Sequence, residues 1–446
     1  MDDKGKRIAV LGGGTSGIAA ARLALAGGAL VWVFDSAEAS SLSDARNNLE
    51  ASGIEMRCGQ DALDVPGGID LIVVSPGIDR AVPLVQTFLK TGAPMIGEIE
   101  FAFQRDKRPV VAITGTNGKT TSTGLLAHLL NGSGRRAVAA GNYGKPYSEV
   151  TLEPDAWDVV VLEVSSFQLE EIDTFRPDVS VWMNFAPDHM DRYQTLDDYR
   201  RAKMRIFENQ TVDDVAIINA VDPPDGIRAK QICFSAFNGK ADYTYEAGGI
   251  YYHNELLVDF NSTKLHGRHN VENVMAALAA ARVLGVPFGS MEEALCQYEP
   301  PPHRYEKVGE IKGVSYINDS KATNLHALES SLRGQEGKVV LIAGGKNKGL
   351  DYSGISGLVA DKVSEVVAIG EMADAIVSSW QGKVSCRKAE SLEQAMNIAA
   401  QLASKGQAVL FSPGTSSFDM FSGYVERGEL FRKIFNEIKT QAGEQL

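Results

Sequence analysis

The apolar run Val110-Val111-Ala112 leads directly into Ile113-Thr114-Gly115-Thr116-Asn117-Gly118-Lys119-Thr120-Thr121, and no other stretch narrows the possible folds as much. A buried strand that breaks at a glycine turn and restarts as a helix belongs to a parallel α/β unit, with its ligand loop at the carboxyl end of the strand. Gly115 and Gly118 let backbone N–H groups of Thr116 and Asn117 converge on phosphate oxygens, and Lys119 neutralises them. A hydroxyl from Thr120 or Thr121 is placed to reach Mg²⁺. The longer phosphate loop carries a glycine five residues before Gly118, where Ile113 stands here, so the chain has the shorter Gly-x-x-Gly-Lys-Thr form.

The same rhythm precedes and follows this loop. Near the start, Arg7-Ile8-Ala9-Val10-Leu11 is followed by Gly12-Gly13-Gly14-Thr15-Ser16-Gly17. A second strand, Val31 to Phe34, ends at Asp35-Ser36, and a third, Leu71 to Val74, ends in Ser75-Pro76-Gly77-Ile78. The turn fits a diphosphate or ribose ligand at a helix N-terminus, and NAD, FAD and nucleotide sugars all satisfy it, as does a purely structural turn. A boundary is expected between Gly92 and Pro109. After the phosphate loop, Val159–Leu162 ends at Glu163 and Val179–Met183 ends at Asn184. Tyr243 to Phe260 reads as a small antiparallel insertion, Val271 to Leu284 as a helix, and Pro300-Pro301-Pro302 as a linker. Beyond it, three further apolar runs end in Gly344-Gly345, Gly370 and Ser412-Pro413-Gly414.

The expected fold class is therefore α/β in three domains. Residues 1–98 form a Rossmann-like unit, 99–300 a central mononucleotide-binding unit of phosphate-loop type with a small β insertion, and 301–446 a second Rossmann-like unit. A chain of 446 residues is long enough for this division. Its net charge of −13 offers no basic field for nucleic acid, so anionic ligands must be held by local cations and helix N-termini. The four dispersed cysteines suit a reducing compartment. The opening residues lack a secretory apolar core, and no run approaches the roughly 18 apolar residues of a membrane span. A cytoplasmic location is expected.

Several polar residues stand out against this frame. Glu163 closes a strand, where a carboxylate can hold Mg²⁺ directly or through water. His189, in Asn-Phe-Ala-Pro-Asp-His-Met-Asp-Arg at 184–192, suits a metal ligand, a phosphate contact or a satisfied structural histidine. Lys203 shares a helical stripe with Leu196, Tyr199, Ile206 and Phe207. Its stem either packs on the core with the ammonium snorkelling outward, or it points into a closed site with a lowered pKa. Asn318-Asp319-Ser320-Lys321-Ala322-Thr323 forms a second dense cluster of hydroxyl and lysine groups. The segments at 344–349 and 412–417 offer backbone donors for anions.

These stretches together resemble the ATP-dependent Mur ligases of peptidoglycan synthesis, and within them the members that add D-glutamate. The resemblance covers nearly the whole chain. It rests on GTNGKTT at 115–121, LEVSSFQLE at 162–170, NFAPDHMDRY at 184–193, the lysine helix at 199–207 and LHGRHNVENVMAA at 265–277. PPPHR at 300–304, NDSKATN at 318–324 and SPGTSSFD at 412–419 complete the series. The DNPR motif of members that add diaminopimelate or lysine is absent, and Ala37 stands where some relatives carry a basic residue near the uracil.

The resemblance implies an amide-forming ligase that takes UDP-N-acetylmuramoyl-L-alanine, D-glutamate and ATP, with two Mg²⁺ ions and a carbamylated Lys203, acting as a monomer. The first domain would bind the UDP moiety through Gly14, Thr15, Ser16, Asp35, Ser36, Ser75 and Gly77, and would use no redox cofactor. ATP would lie on the loop 115–121 with Asn273, Arg304 and Asp319. Metal would be held by Thr120 or Thr121, Glu163, His189 and the Lys203 carbamate. Asn142, His189, Lys321 and Thr323 would meet the muramoyl-alanine end or the intermediate, and Lys348, Ser417 and Tyr424 the D-glutamate carboxylates. Lys119, Glu163, His189, Lys203 and Lys321 are the expected catalytic set.

Overall fold

The computed structural model describes residues 3–190, 192–237, 240–335 and 337–443. Asp191 of the NFAPDHMDRY segment lies outside them. Three sheets succeed one another along the chain. The first contains β1 (Arg7–Leu11), β2 (Leu30–Asp35), β3 (Glu55–Cys58), β4 (Leu71–Val74) and β5 (Met95–Gly97), in the order β3-β2-β1-β4-β5. All its pairings are parallel. Continuous apolar runs such as Ile8–Leu11, buried on both faces, are what such a sheet requires. The expected boundary after Gly92 contains β5 and a helix, Glu98–Phe103, that packs between the first and second sheets.

The second sheet contains β6 (Val110–Thr114), β7 (Ala137–Gly141), β8 (Val159–Glu163), β9 (Val179–Trp182), β10 (Val215–Asn219), β11 (Lys230–Ser235), β12 (Tyr243–Glu246), β13 (Gly249–Tyr252) and β14 (Glu255–Asp259). Its order is β14-β13-β12-β11-β10-β9-β6-β8-β7. The antiparallel strands at 243–259 extend this sheet, because β12 pairs in parallel with β11 and only the last two pairings reverse direction. The Ala-rich helix runs from Arg268 to Val283, three residues earlier than its apolar pattern begins, and is buried along most of its length.

The third sheet contains β15 (Glu306–Ile311), β16 (Val314–Asn318), β17 (Val339–Gly344), β18 (Val363–Ile369), β19 (Ser385–Lys388) and β20 (Ala408–Phe411), in the order β15-β16-β20-β17-β18-β19. A hairpin forms its β15 edge, and the remaining pairings are parallel. No helix among the described residues is long and apolar enough to cross a membrane.

Candidate functional site: a nucleotide loop between two sheets

Sheet register explains why residues far apart in sequence meet. β6 lies between β8 and β9 in parallel, with Ile113 opposite Glu163 and Thr114 opposite Trp182. The loop 115–118 therefore leaves β6 flanked by the ends of both neighbours. Asn184 clamps it: its backbone oxygen accepts from Thr116 N at 3.0 Å, and its side chain exchanges bonds with Asn117 N at 2.9 Å and Asn117 O at 3.1 Å. Gly141 pairs with Glu163, which brings Asn142 within 2.7 Å of Glu163 Oε1. Glu163 Oε2 is buried and has no hydrogen-bond partner among the described residues.

The helix Lys119–Gly132 starts from Gly118, whose φ of 84° is left-handed. A Cβ there would stand 2.4 Å from Asn273 Oδ1, so the glycine also makes room for the neighbouring helix. Lys119 curls over the loop, donating to Gly115 O at 2.8 Å and Thr116 O at 2.9 Å. Lys203 Nζ donates to the same Gly115 O at 2.9 Å. Two ammonium groups thus share one carbonyl. Burial, then the charge of Lys119, holds Lys203 well below the ordinary lysine range; burial also lowers Lys119, against the pull of Glu163 and Asp188.

Of the two readings of the Lys203 stripe, the inward one holds. Lys203 is only 2% exposed, and its ammonium lies 4.7 Å from the centroid of the Tyr199 ring. The stripe is shorter than expected: Leu196 begins the helix at the surface, 38% exposed, while Tyr199, Ile206 and Phe207 are buried. Thr195 caps that helix by accepting from Asp198 N.

His189 adopts a left-handed backbone with φ of 55°, and its ring meets the edges of Phe167 and Tyr199. Asp188 Oδ1 accepts from the His189 N–H at 2.9 Å. Among the described residues no group of three or more His, Cys, Asp or Glu side chains gathers around a common point suited to a metal. Glu163 ends β8 with one open, buried carboxylate oxygen, and Thr120 and Thr121 stand in the first turn of the helix that follows the loop.

In the third sheet, β20 lies between β16 and β17, with Asn318 and Ile342 both opposite Phe411. The segments after all three strands consequently emerge at one end. Asp319 is held by Ser331 Oγ, by Ser412 Oγ at 2.9 Å and by Tyr305 N at 3.1 Å, and burial pushes its carboxyl up to about 6. Thr415 Oγ1 donates to Lys346 O at 2.7 Å, and Lys346 N donates to Ser416 O at 2.9 Å, which staples the 344–348 loop to the 412–417 loop. Lys348 at the loop tip is exposed, whereas Ser417 is buried. Lys321 lies 4.1 Å from the centroid of the Tyr424 ring, with its ammonium lowered to about 8, mainly by burial.

A cavity of about 430 Å³ joins the two halves. Asn117, Gly118, Thr121 and Asn273 line it from the central domain, and Arg304, Asp319 and Lys321 from the third. Sequence reasoning missed other lining residues, among them Asn184, Asn270 and His326. The first two sit inside motifs it quoted; His326 carries no signal of its own. It also missed Arg427, which is fully buried and donates to Ser320 O at 2.8 Å and Thr415 O at 3.2 Å, tying the 318–323 and 412–417 segments together.

In the first domain, Ser75 packs against the glycine turn, and a Cβ on Gly12 would lie 2.7 Å from its Oγ. Gly14, Thr15 and Ser16 open the helix Thr15–Ala26 as expected. Asp35 has both carboxylate oxygens engaged by the chain itself, accepting from Gly13 N at 2.7 Å and Ala37 N at 2.9 Å. It thereby shapes the turn while each oxygen keeps a further acceptor site.

The fold and the loop together define a three-domain α/β protein with a glycine-rich, phosphate-type loop that faces a cavity between its second and third domains. Family models described as "Mur ligase MurD-like, N-terminal domain", "Mur ligase middle domain" and "Mur ligase, glutamate ligase domain" match residues 6–97, 113–281 and 303–414. The chain is 42% identical over 441 residues to the UDP-N-acetylmuramoylalanine–D-glutamate ligase of Syntrophotalea carbinolica, covering 96% of each. It is 39% identical to the enzyme of that name from Chlorobium phaeobacteroides, covering 99% of this chain and 100% of the relative. Among solved structures, a pseudomurein peptide ligase type C from Methanothermus fervidus shares the fold with a TM-score of 0.61 at 20% identity, over 97% of this chain and 100% of that one. The UDP-N-acetylmuramate–alanine ligase of Thermotoga maritima does so with 0.59 at 19%, with the same coverage. This chain belongs to the Mur ligase family, in its D-glutamate-adding branch.

Proposed function

We propose that the chain joins D-glutamate to UDP-N-acetylmuramoyl-L-alanine, converting ATP to ADP and phosphate, in the cytoplasmic synthesis of peptidoglycan precursors, and that it works as a monomer. The observation that carries the reading is the single cavity in which Asn117, Gly118 and Thr121 face Arg304, Asp319 and Lys321. A phosphoryl donor lying on the loop would there be adjacent to groups delivered by the domain that presents the amine. Residues 1–98 would hold the UDP moiety, 99–300 the ATP, and 301–446 the amino acid.

A carboxylate resists acylation because its charge repels an amine. In the proposed reaction a carboxylate oxygen of the muramoyl-alanine attacks the γ-phosphorus of ATP, and the bond to the β–γ bridging oxygen breaks, releasing ADP. The D-glutamate nitrogen then attacks the acyl carbon and phosphate leaves with the bonding pair. The amine proton passes to a nearby base, for which His189 is the candidate. Lys119 and the loop N–H groups stabilise the charge that builds up on the phosphoryl oxygens. Asn142 orients Glu163 and, with Thr323, borders the acyl end; Lys321, Lys348, Ser417 and Tyr424 bind the D-glutamate carboxylates.

The open, buried oxygen of Glu163 and the hydroxyls of Thr120 and Thr121 suit Mg²⁺, an oxygen-seeking ion. Bound there and near His189, Mg²⁺ would neutralise phosphate and carboxylate charge. Lys203, its pKa drawn down by burial and by the charge of Lys119, is placed to add in its neutral form through Nζ to CO₂: an N–C bond forms, a C=O pair moves onto oxygen, and the nitrogen loses a proton. The resulting carbamate would turn a repelled cation into an anion.

Phosphate release from ATP in the presence of UDP-N-acetylmuramoyl-L-alanine should be stimulated by D-glutamate and far less by L-glutamate, D-aspartate or L-lysine. Equal stimulation by L-lysine would refute the assignment. A pH prediction follows from Lys321. Its ammonium is lost as pH rises through about 8, so kcat/KM for D-glutamate should fall above that pH. In Lys321→Arg, whose guanidinium stays charged, this alkaline limb should move upward.

A further inference from the structure

The helix Leu325–Arg333 of the third domain touches both loops of the central site through its first turn. Asn324 caps it, its Oδ1 accepting from Ala327 N at 2.8 Å, while its Nδ2 donates across the domain boundary to Asp188 Oδ2 at 2.9 Å. One turn-side neighbour away, His326 Nδ1 lies 2.6 Å from Asn117 Nδ2 in the nucleotide loop. An amide nitrogen can only donate, so Nδ1 accepts and the ring proton sits on Nε2. Burial holds the imidazole below its ordinary range and favours that neutral form. Asn117 is thereby fixed from two sides, by Asn184 within its own domain and by His326 from the next. Asp188 is likewise divided, with Oδ1 ordering the His189 backbone and Oδ2 taken by Asn324.

We infer that Asn324 and His326 form a two-point latch that seats the amino-acid-binding domain on the nucleotide loop and the His189 loop. They are positioning residues for the amine-transfer step. The inference rests on the reading that the loop 115–119 binds ATP. Each bond alone is a modest neutral or singly charged contact, but both arise from one helical turn and engage the two loops that must be aligned together. The domain that carries Lys348, Ser417 and Tyr424 is then registered directly against the groups that activate the acid. Losing either bond should let that domain drift and weaken capture of the amine while leaving the phosphate loop assembled.

The test uses the full-length enzyme and the variants His326→Ala, His326→Gln and Asn324→Asp. Asn324→Asp keeps the cap acceptor, so its helix should still form, while it removes the cross-domain donor and sets a second carboxylate against Asp188. His326→Ala and Asn324→Asp should each raise KM for D-glutamate about tenfold. The dissociation constant of a non-hydrolysable ATP analogue, measured without D-glutamate, should stay within about threefold. His326→Gln, whose side-chain oxygen can accept from Asn117, should recover most of the loss, and Asp188→Asn should partly rescue Asn324→Asp by restoring a donor–acceptor pair. If KM for D-glutamate is unchanged in both variants, or if Gln behaves like Ala, the latch is wrong. If the parent enzyme fails to bind the ATP analogue at all, the functional reading falls instead.

Discussion

Lys203→Ala should lower kcat by about 10²–10³-fold while leaving the thermal midpoint unchanged or slightly raised. The asymmetry follows from where the side chain sits. Its ammonium is buried, faces no carboxylate at ion-pair distance among the described residues, and shares Gly115 O with a second lysine. Removing it relieves a desolvation cost, offset by the space its stem leaves behind. In catalysis the loss is severe, because the carbamate oxygens proposed at this position disappear. Lys203→Arg should be no better than Ala: a guanidinium stays charged and cannot add to CO₂. Small carboxylates in the assay should restore part of the Ala variant's activity, and labelled bicarbonate should give a carbamate signal in the parent enzyme that is missing from the variant. Full activity in Lys203→Arg would end the carbamate proposal.

Replacing Lys119 by Ala should cost about 10³-fold in kcat, the scale expected when the cation facing a transferring phosphoryl group is lost. A second consequence separates this residue from an ordinary loop lysine. Its charge is one of the causes that hold the Lys203 pKa down, so Lys119→Ala should raise the pKa of Lys203 and weaken its carbamate signal at a given pH. The two substitutions should accordingly combine to less than the product of their separate effects. Strict multiplicativity in the double variant, measured by single-turnover phosphate release, would show that the lysines act independently despite their common acceptor.

Much of this arrangement is legible in the chain itself. Runs such as Val159–Leu162 and Lys338–Ala343 are too short and too uniformly apolar to be anything but buried strands, and their glycine or acidic ends mark the ligand side. Lys203 could be singled out because a cation interrupts an apolar helical stripe. Other features depend on tertiary pairing that a linear pattern does not encode. Nothing in the spacing of Asp35 foretells that its two oxygens accept from the Gly13 and Ala37 amides and so brace the glycine turn. Arg427 stands in a charged helical segment, Tyr-Val-Glu-Arg-Gly-Glu-Leu, that reads as solvent-facing, and only the crossing of the 318–323 and 412–417 segments buries it. Strands β11 and β15 are moderately polar along their length, and the two-residue periodicity that would have revealed them is weak.

The three loops that rise together from β16, β17 and β20 have a bearing on how such a molecule can diversify. Under the proposed reading they meet the incoming amine, yet they are not equally free to change: Ser412 also holds Asp319 at the cavity, whereas the exposed tip of 344–348 touches none of the cavity-lining groups named above. Variation in the choice of building block would therefore be tolerated first at that tip, and last where the loop is shared with the phosphoryl-donor side.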